Sequence, residues 1–127
     1  MSIHTFHTLM LDGASKTTTV AGTEVDLAYY YATPGKREMK ACLVCYVDVA
    51  TDSGTLAYKI QESATTVDSD FTDISGATFT TVTDASSAAV ESIYFFSAKR
   101  YIRGYSTVTG SPRVPTVCTL FVQKLEA

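Results

Sequence analysis

The alternation of apolar and polar residues in the segment "TLAYKIQES" constrains the fold of this chain more than any other feature. Leu56, Tyr58 and Ile60 fall on one side of an extended backbone, and Lys59, Gln61 and Ser63 fall on the other. A period of two residues is typical of a β-strand with one buried face. Runs rich in Thr, Val and Tyr recur through most of the chain, which therefore favours strands throughout.

Turn residues divide these runs into short strands. Gly, Pro and Asp pairs such as Asp12-Gly13, Pro34-Gly35 and Ser75-Gly76 supply the backbone angles that turns need. Strands at this spacing predict an all-β fold, an antiparallel β-sandwich of jelly-roll-like form. Only the segment "TDASSAAVES" is expected to contain a helical turn, with Asp84 as its N-cap. Eight or nine strands are expected, from the following runs with one or two of them merging: Ile3 to Leu11, Thr17 to Val20, Val25 to Ala32, Lys40 to Val49, Thr55 to Ser63, Phe71 to Ile74, Thr78 to Val82, Val90 to Phe96, Arg100 to Val108 and Val114 to Leu125.

Length and charge limit the classes of function. The 127 residues predict a single domain, 1–127, that buries about two thirds of the surface of its chain. A net charge of −3, without clustered Lys and Arg, argues against direct binding of nucleic acid. The first residues do not have the pattern of a secretion signal, and no run is long enough to cross a bilayer. We expect synthesis in the cytoplasm, no membrane association, and reduced thiols at Cys42, Cys45 and Cys118.

The residues that carry chemistry do not form a recognisable catalytic or metal-binding pattern. Cys42 and Cys45 match C-x-x-C, but three residues along a strand place their side chains on opposite faces. His4 and His7 have the same separation, so a shared metal would require a bend in the strand. The spacing of Ser, Cys, His and carboxylates does not suggest a triad.

Two further motifs have plain structural interpretations. The acidic segment from Asp68 to Asp73 lacks the glycine and distal glutamate of a calcium loop and is read as a solvated turn. Pro112 and Pro115 match P-x-x-P, but they open a strand, where proline blocks unwanted edge pairing. We therefore expect no catalytic, cofactor-binding or metal-binding residue, no cofactor, and no enzymatic activity.

Several strands are apolar on both faces. Phe95 and Phe96 are predicted to point in opposite directions. In the last strand, Val117 and Phe121 are predicted to face away from Cys118, Leu120 and Val122. One sandwich core absorbs only one face of each strand. The second face lies either beneath a loop or short helix, or in a subunit interface. The interface candidates from the sequence are Phe6, Leu9, Tyr29, Tyr30, Tyr31, Val117 and Phe121.

Two long segments in order resemble a group of small virion proteins of tailed bacteriophages. The segments are "YKIQESATTVDSDFTDISGATFTTVT" and "AKRYIRGYSTVTGSPRVPTVCTLFV". In that group the strands read K-I-Q-x-S, an acidic turn with F-T-D-I or F-T-D-V, R-Y-x-R, a Ser-Pro turn and an apolar final strand. The matching positions here are Lys59, Ile60, Gln61, Ser63, Phe71 to Ile74, Arg100, Tyr101, Arg103, Ser111 and Pro112.

The resemblance covers a little over half of the chain and implies a capsid cement or decoration protein with a jelly-roll fold. Such a protein is expected to bind the major capsid protein on the surface of a phage head, as a homotrimer, and to stabilise the shell. The aromatic run Tyr29 to Tyr31 has no counterpart in the resemblance, so the contact surface does not carry over.

A different class of function also fits the strands. A carbohydrate-binding or receptor-binding β-sandwich module of a virion would use Arg100 and Arg103 beside a sugar, with Tyr29 to Tyr31 as a stacking platform. The chain lacks Trp and Asn, which sugar sites use heavily, and this argues against that alternative.

The first strand raises a separate possibility. A terminal strand is easily lent to a neighbour, because its backbone can pair with another chain. Residues 1–11 are therefore either an ordinary first strand or an arm exchanged with a subunit or the shell, anchored by Phe6 and Leu9.

Overall fold

The computed structural model describes residues 2–12, 20–22, 24–29, 37–47, 55–83, 88–109 and 116–126. Their secondary structure consists of β-strands and two short 3₁₀ turns, Leu27–Tyr29 and Asp68–Asp70. The strands are β1 (Ser2–Asp12), β2 (Val20–Ala21), β3 (Val25–Asp26), β4 (Arg37–Val47), β5 (Thr55–Ser63), β6 (Thr72–Thr78), β7 (Val82–Thr83), β8 (Ala88–Ser97), β9 (Tyr101–Thr109) and β10 (Thr116–Glu126).

The strands form two antiparallel sheets that pack against each other. Sheet A has the order β1-β10-β4-β8, and the main path of sheet B is β2-β9-β5-β6. The short strands β3 and β7 pair with β9 and β5 outside that path. Renumbered along the chain, the eight main strands read 1-8-3-6 and 2-7-4-5. This is the order produced by wrapping one long hairpin into a barrel, and the expected all-β, jelly-roll-like sandwich is confirmed.

The core lies between the sheets and, among the side chains that the structure describes, comes largely from alternate residues of β4 and β5. Sheet B contributes Tyr58 and Ile60 from the segment that first predicted the fold, and both are fully buried. The buried apolar residues are Val25, Leu27, Met39, Ala41, Leu43, Tyr58, Ile60, Phe71, Ile74, Ala77, Phe79, Phe95 and Ile102. At one end of the core, the Ser97 hydroxyl donates to Glu62 Oε1 at 2.8 Å and joins the two sheets.

Strand bounds predicted from the sequence agree with the structure most closely where alternation is unbroken. Thr55 to Ser63 is β5 as predicted, and β1, β8, β9 and β10 differ from their predicted bounds by one or two residues at each end. The structure differs from the prediction at the following two segments. The strand predicted from Val25 to Ala32 stops at Asp26, whose carboxylate accepts a hydrogen bond from the Ala28 amide at 3.0 Å and starts a 3₁₀ turn. The predicted helical turn is also wrong over 88–92, which belong to β8, and Asp84 lies outside the described residues.

Gly76 lies inside a strand where the sequence predicted a turn. The expected strand Phe71 to Ile74 lies in β6 from Thr72 onward, and β6 continues through Gly76 to Thr78 with an irregular register against β5. The strand expected over Thr78 to Val82 is wrong, because residues 79–81 are not part of a strand and Val82 begins β7. Gly76 has φ of +80°, and a Cβ added there would meet nothing within 4 Å. Glycine is needed for this backbone angle and not for space, so the residue marks a bulge.

β1 is an edge strand that pairs with β10 of the same chain. Register shifts fall between Thr5 and His7 and between Thr8 and Met10. His4 is paired with Lys124 and His7 with Val122, which are two residues apart on β10. A separation of three residues along β1 therefore does not by itself assign the two histidines to opposite faces, because the register shift interrupts the alternation. Exchange of this strand with another molecule stays a prediction.

The two phenylalanines of β8 offer a matched test of the core. Phe95 is 2% exposed and Phe96 is 49% exposed. Phe95→Ala should lower the free energy of unfolding by about 3–5 kcal/mol, because it leaves a cavity. Phe96→Ala should cost about 1 kcal/mol or less. Chemical denaturation of both variants checks this, and equal losses would contradict the assigned faces of β8.

Candidate interaction surface

An exposed apolar stripe runs along the outer face of sheet A, formed by Val44, Val90, Tyr94 and Phe96, and we name it the β4–β8 stripe. Their exposed fractions are 40%, 73%, 58% and 49% in that order. The register places Val44 opposite Val90, and the pair formed by Cys42 and Ser92 separates these two valines from Tyr94 and Phe96 on the same face.

The stripe follows directly from the alternation of β8. Phe95 is buried against the core, which forces its neighbours Tyr94 and Phe96 to the other face. Tyr94 and Phe96 remain 58% and 49% exposed, and no helix or loop of the described residues buries them. Tyr94 and Phe96 are aromatic side chains of about 150–250 Å² each, so at about half exposure they present roughly 200 Å² of surface. The largest apolar patch of a typical monomer is about 300–600 Å² and often functional.

Polar residues of β4 lie beside the aromatic end of the stripe. Glu38 is paired in register with Phe96, and Lys40 with Tyr94. The Lys40 ammonium lies 5.8 Å from the centre of the Tyr94 ring, within the range of a cation–π contact. The aromatic end therefore carries one charge of each sign.

The interface candidates predicted from the sequence have different positions relative to this surface. Val117 and Phe121 lie on β10, where the register sets them opposite Tyr46 and Cys42 of β4. Phe6 and Leu9 lie within the two register shifts of β1. Tyr29 ends the first 3₁₀ turn, and Tyr30 and Tyr31 lie outside the described residues.

The sequence-based candidate list omitted all four residues of the stripe. The signal was present in "SIYFFSA", where aromatic residues occupy both parities of one strand. Val44 and Val90 gave a weaker signal, because their alignment depends on the pairing of β4 with β8, which the sequence does not reveal.

A buried arginine organises the outer face of sheet B. Arg103 Nε donates to Gln61 Oε1 at 2.9 Å, and its Nη1 donates to Asp68 Oδ1 at 2.6 Å. The guanidinium also lies 4.1 Å from the centre of the Phe71 ring. Asp68 and Phe71 belong to the connection between β5 and β6, so Arg103 fastens that connection over the sheet. This covering explains why Gln61 is buried although it points away from the core.

The network continues to β6. Gln61 Nε2 donates to Asp73 Oδ1 at 2.9 Å, and Lys59 Nζ lies 2.9 Å from Asp73 Oδ2. The hydrogen bond from Gln61, followed by that from Lys59, holds the pKa of Asp73 below its ordinary value of 3.8. Each of these side chains is engaged within the protein, which is typical of a structural clamp.

Arg100 has a comparable role at the start of β9. Its Nε and Nη2 donate to the two carboxylate oxygens of Asp26 at 2.9 and 2.8 Å. The hydrogen bond from Arg100 is the main reason that the pKa of Asp26 lies below its ordinary value. This bidentate pair ties the end of β3 to β9.

The described residues contain no group of three or more His, Cys, Asp or Glu side chains arranged to hold a metal ion. Within the same part of the chain, no helix has the length and apolarity needed to span a membrane. Comparison with protein families and with curated proteins gave no match to this sequence.

Replacing each arginine by lysine tests the clamp. Arg103→Lys should lower the free energy of unfolding by about 2 kcal/mol, because one ammonium cannot bond to Gln61 and Asp68 while lying flat on Phe71. The more exposed Arg100→Lys is the matched control and should cost about 1 kcal/mol or less. Equal losses of unfolding free energy for the two variants in denaturant titrations would contradict a larger contribution from the buried Arg103.

The lowered pKa of Asp73 predicts a defined dependence of stability on pH. The ionised carboxylate stabilises the folded state above pH 3.8, and this contribution is lost as pH falls through the lower pKa of the folded protein. Asp73→Asn removes that titration, so its unfolding free energy should fall less steeply than that of the unmodified protein below about pH 5. Denaturant titrations at several pH values measure this dependence. If the unfolding free energies of the variant and the unmodified protein fall in parallel as pH decreases, the prediction is contradicted.

Proposed function

We propose that this chain is a non-enzymatic structural protein of a bacteriophage virion, a decoration protein that binds the major capsid protein on the head surface as a homotrimer and stabilises the shell. The observation that carries the proposal is the β4–β8 stripe. It is an apolar surface on a rigid sandwich, of the kind that proteins use to contact other proteins.

The architecture is compatible with this role. Jelly rolls occur in viral capsid proteins and also in lectins and enzymes, so the fold supports the proposal without selecting it. The segment that runs from "YKIQES" to "FTDI" and the motif "RYIR" carry the resemblance to phage virion proteins, and this resemblance supports a role in a virion. Contacts spread over several shell subunits would raise the free energy needed to separate them, and three-fold symmetry would multiply a weak contact.

The alternative, a carbohydrate-binding or receptor-binding module, receives less support from the site geometry. It needs arginines that reach a ligand, but Arg103 is buried beneath Phe71 and bonded to Asp68. Arg100 directs two donors to Asp26. A sugar would have to displace these carboxylates to reach either guanidinium.

Retention on head shells tests the proposed function. The purified protein should co-sediment with empty shells of the source phage and raise the temperature at which they rupture. Tyr94→Asp should weaken retention about tenfold or more, since a carboxylate would be buried without a partner. Ser75→Asp adds the same charge to an exposed position on sheet B and serves as the control.

Failure of the folded, unmodified protein to bind shells at any concentration would reject the decoration role. Saturable binding on a glycan array would then favour the alternative. Native mass spectrometry of the free protein tests the homotrimer separately.

A further inference from the structure

We propose that the connection between β5 and β6, residues 64–71, is a strap that opens from sheet B as one unit, and that Asp73 on β6 sets how firmly it is held, through the amide of Gln61. We name this segment the β5–β6 strap. The inference goes beyond the proposed function, because it concerns the outer face of sheet B and not the stripe on sheet A. It depends on the order of donors and acceptors between the strap and β6.

The β5–β6 strap is bonded mainly to itself. Thr65 Oγ1 donates to Asp70 Oδ2 at 2.6 Å and accepts from the Val67 amide at 3.2 Å. The Asp70 amide donates to the Val67 carbonyl at 3.0 Å. Residues 64–70 are nevertheless all exposed. A segment that keeps its own hydrogen bonds and buries little surface opens locally at a low free energy.

Three contacts between described residues fasten the strap to sheet B. Arg103 provides two of them, through its bond to Asp68 and its packing on the Phe71 ring. In the third, the Thr65 amide donates to Ser63 Oγ at 3.0 Å. The side chain of Arg103 is 8% exposed, whereas that of Asp68 is 85% exposed. Because a guanidinium stays charged in proteins, this buried cation depends on the carboxylate that the strap brings to it.

The side-chain amide of Gln61 connects Asp73 to Arg103. An ionised carboxylate only accepts hydrogen bonds, and a guanidinium only donates them. Asp73 Oδ1 accepts from Gln61 Nε2 at 2.9 Å, which turns Gln61 Oε1 toward Arg103 Nε, also at 2.9 Å. Lys59 Nζ donates to the other carboxylate oxygen of Asp73 at 2.9 Å. The two ends of the network therefore require the same orientation of one amide.

Neutralising residue 73 removes this requirement. An asparagine there offers both a donor and an acceptor, so it no longer selects one orientation of the Gln61 amide. In the flipped orientation the NH₂ group of Gln61 faces Arg103 Nε, and two donors then oppose each other. Members of a buried polar network depend on one another in this way. Loss of the charge on Asp73 should therefore loosen the hold of Arg103 on the strap.

Native-state hydrogen exchange of the Arg103 Nε–H proton, followed by NMR, reports opening of the strap. In the unmodified protein this proton should be at least about tenfold less protected than the backbone amides of β5, because the strap opens before the sandwich unfolds. Low concentrations of denaturant should accelerate exchange of the β5 amides and leave the Arg103 proton unchanged. Equal protection and equal denaturant dependence would overturn the proposal, since the strap would then open only with global unfolding.

Two single variants separate the Asp68 contact from its control by Asp73. Asp68→Asn should raise the exchange rate of the Arg103 proton about tenfold or more, because the buried guanidinium loses its carboxylate. Asp73→Asn should raise it about fivefold, although Asp73 is bonded to Gln61 and Lys59. Glu38→Gln neutralises an exposed carboxylate on sheet A and should leave the rate unchanged. A rate for Asp73→Asn within about twofold of that of the unmodified protein would overturn the control by Asp73.

A direct effect of the Asp73 charge on Arg103 is the rival explanation, and two measurements distinguish it. Gln61→Met removes the connecting amide, so adding Asp73→Asn to it should change the exchange rate by less than about twofold. At about 1 M salt, where the screening length is about 3 Å, the effect of Asp73→Asn alone should persist. Loss of that effect in salt, or an equal effect in the Gln61→Met background, would overturn the role of Gln61. The salt measurement uses variants that keep Gln61, so it decides the question even if Gln61→Met does not fold.

Discussion

A two-layered sandwich has a single interior, and this constraint determines what β8 exposes. Each strand can bury only one of its two alternating faces between the sheets. Phe95 takes the buried position, so Tyr94 and Phe96 must lie on the outer face. The apolar stripe is therefore a direct consequence of placing aromatic residues at both parities of one strand. Its exposure in the single chain is the basis of the function proposed for this protein.

The sequence predicted the fold class because alternation and turn residues act locally. The period of β5 identified its bounds and its core face, and both are confirmed. Interactions between distant residues were less accessible. Gln61 was assigned to a polar outer face, yet it is buried because Arg103 and Phe71 cover it. No local pattern reveals that a connection folds back over the sheet.

Failures at strand ends have the same origin. Val25 to Ala32 reads as one apolar and aromatic run, but a side-chain bond from Asp26 to the amide of Ala28 competes with continued extension. Gly76 was read as a turn because glycine often ends strands, whereas here a bulge uses its positive φ inside one strand. The opposite orientation of Phe95 and Phe96 was predicted, but the stripe itself was not among the interface candidates, since its composition depends on the pairing of β4 with β8.

The two sheets differ in how they treat their outer faces. On sheet B, charged side chains bond to each other: Arg103 to Asp68, Lys59 to Asp73, and Arg100 to Asp26. These bonds consume the groups that a small polar ligand would need, and they fasten the connections of the sandwich. On sheet A the outer face of β8 offers apolar surface. Among the described side chains, the outer faces of the two sheets therefore differ: sheet B carries charged groups bonded to each other, and β8 of sheet A carries exposed aromatic groups.

Hydroxyl-radical footprinting tests most directly whether the β4–β8 stripe is covered by protein in the assembled state. Tyr94 lies on the stripe, and Tyr105 lies on the outer face of sheet B, within 5.3 Å of the Lys59 ammonium. The account predicts that modification of Tyr94 and Phe96 falls several-fold on assembly, while modification of Tyr105 does not change. Equal modification of Tyr94 in the dispersed and assembled protein would contradict it.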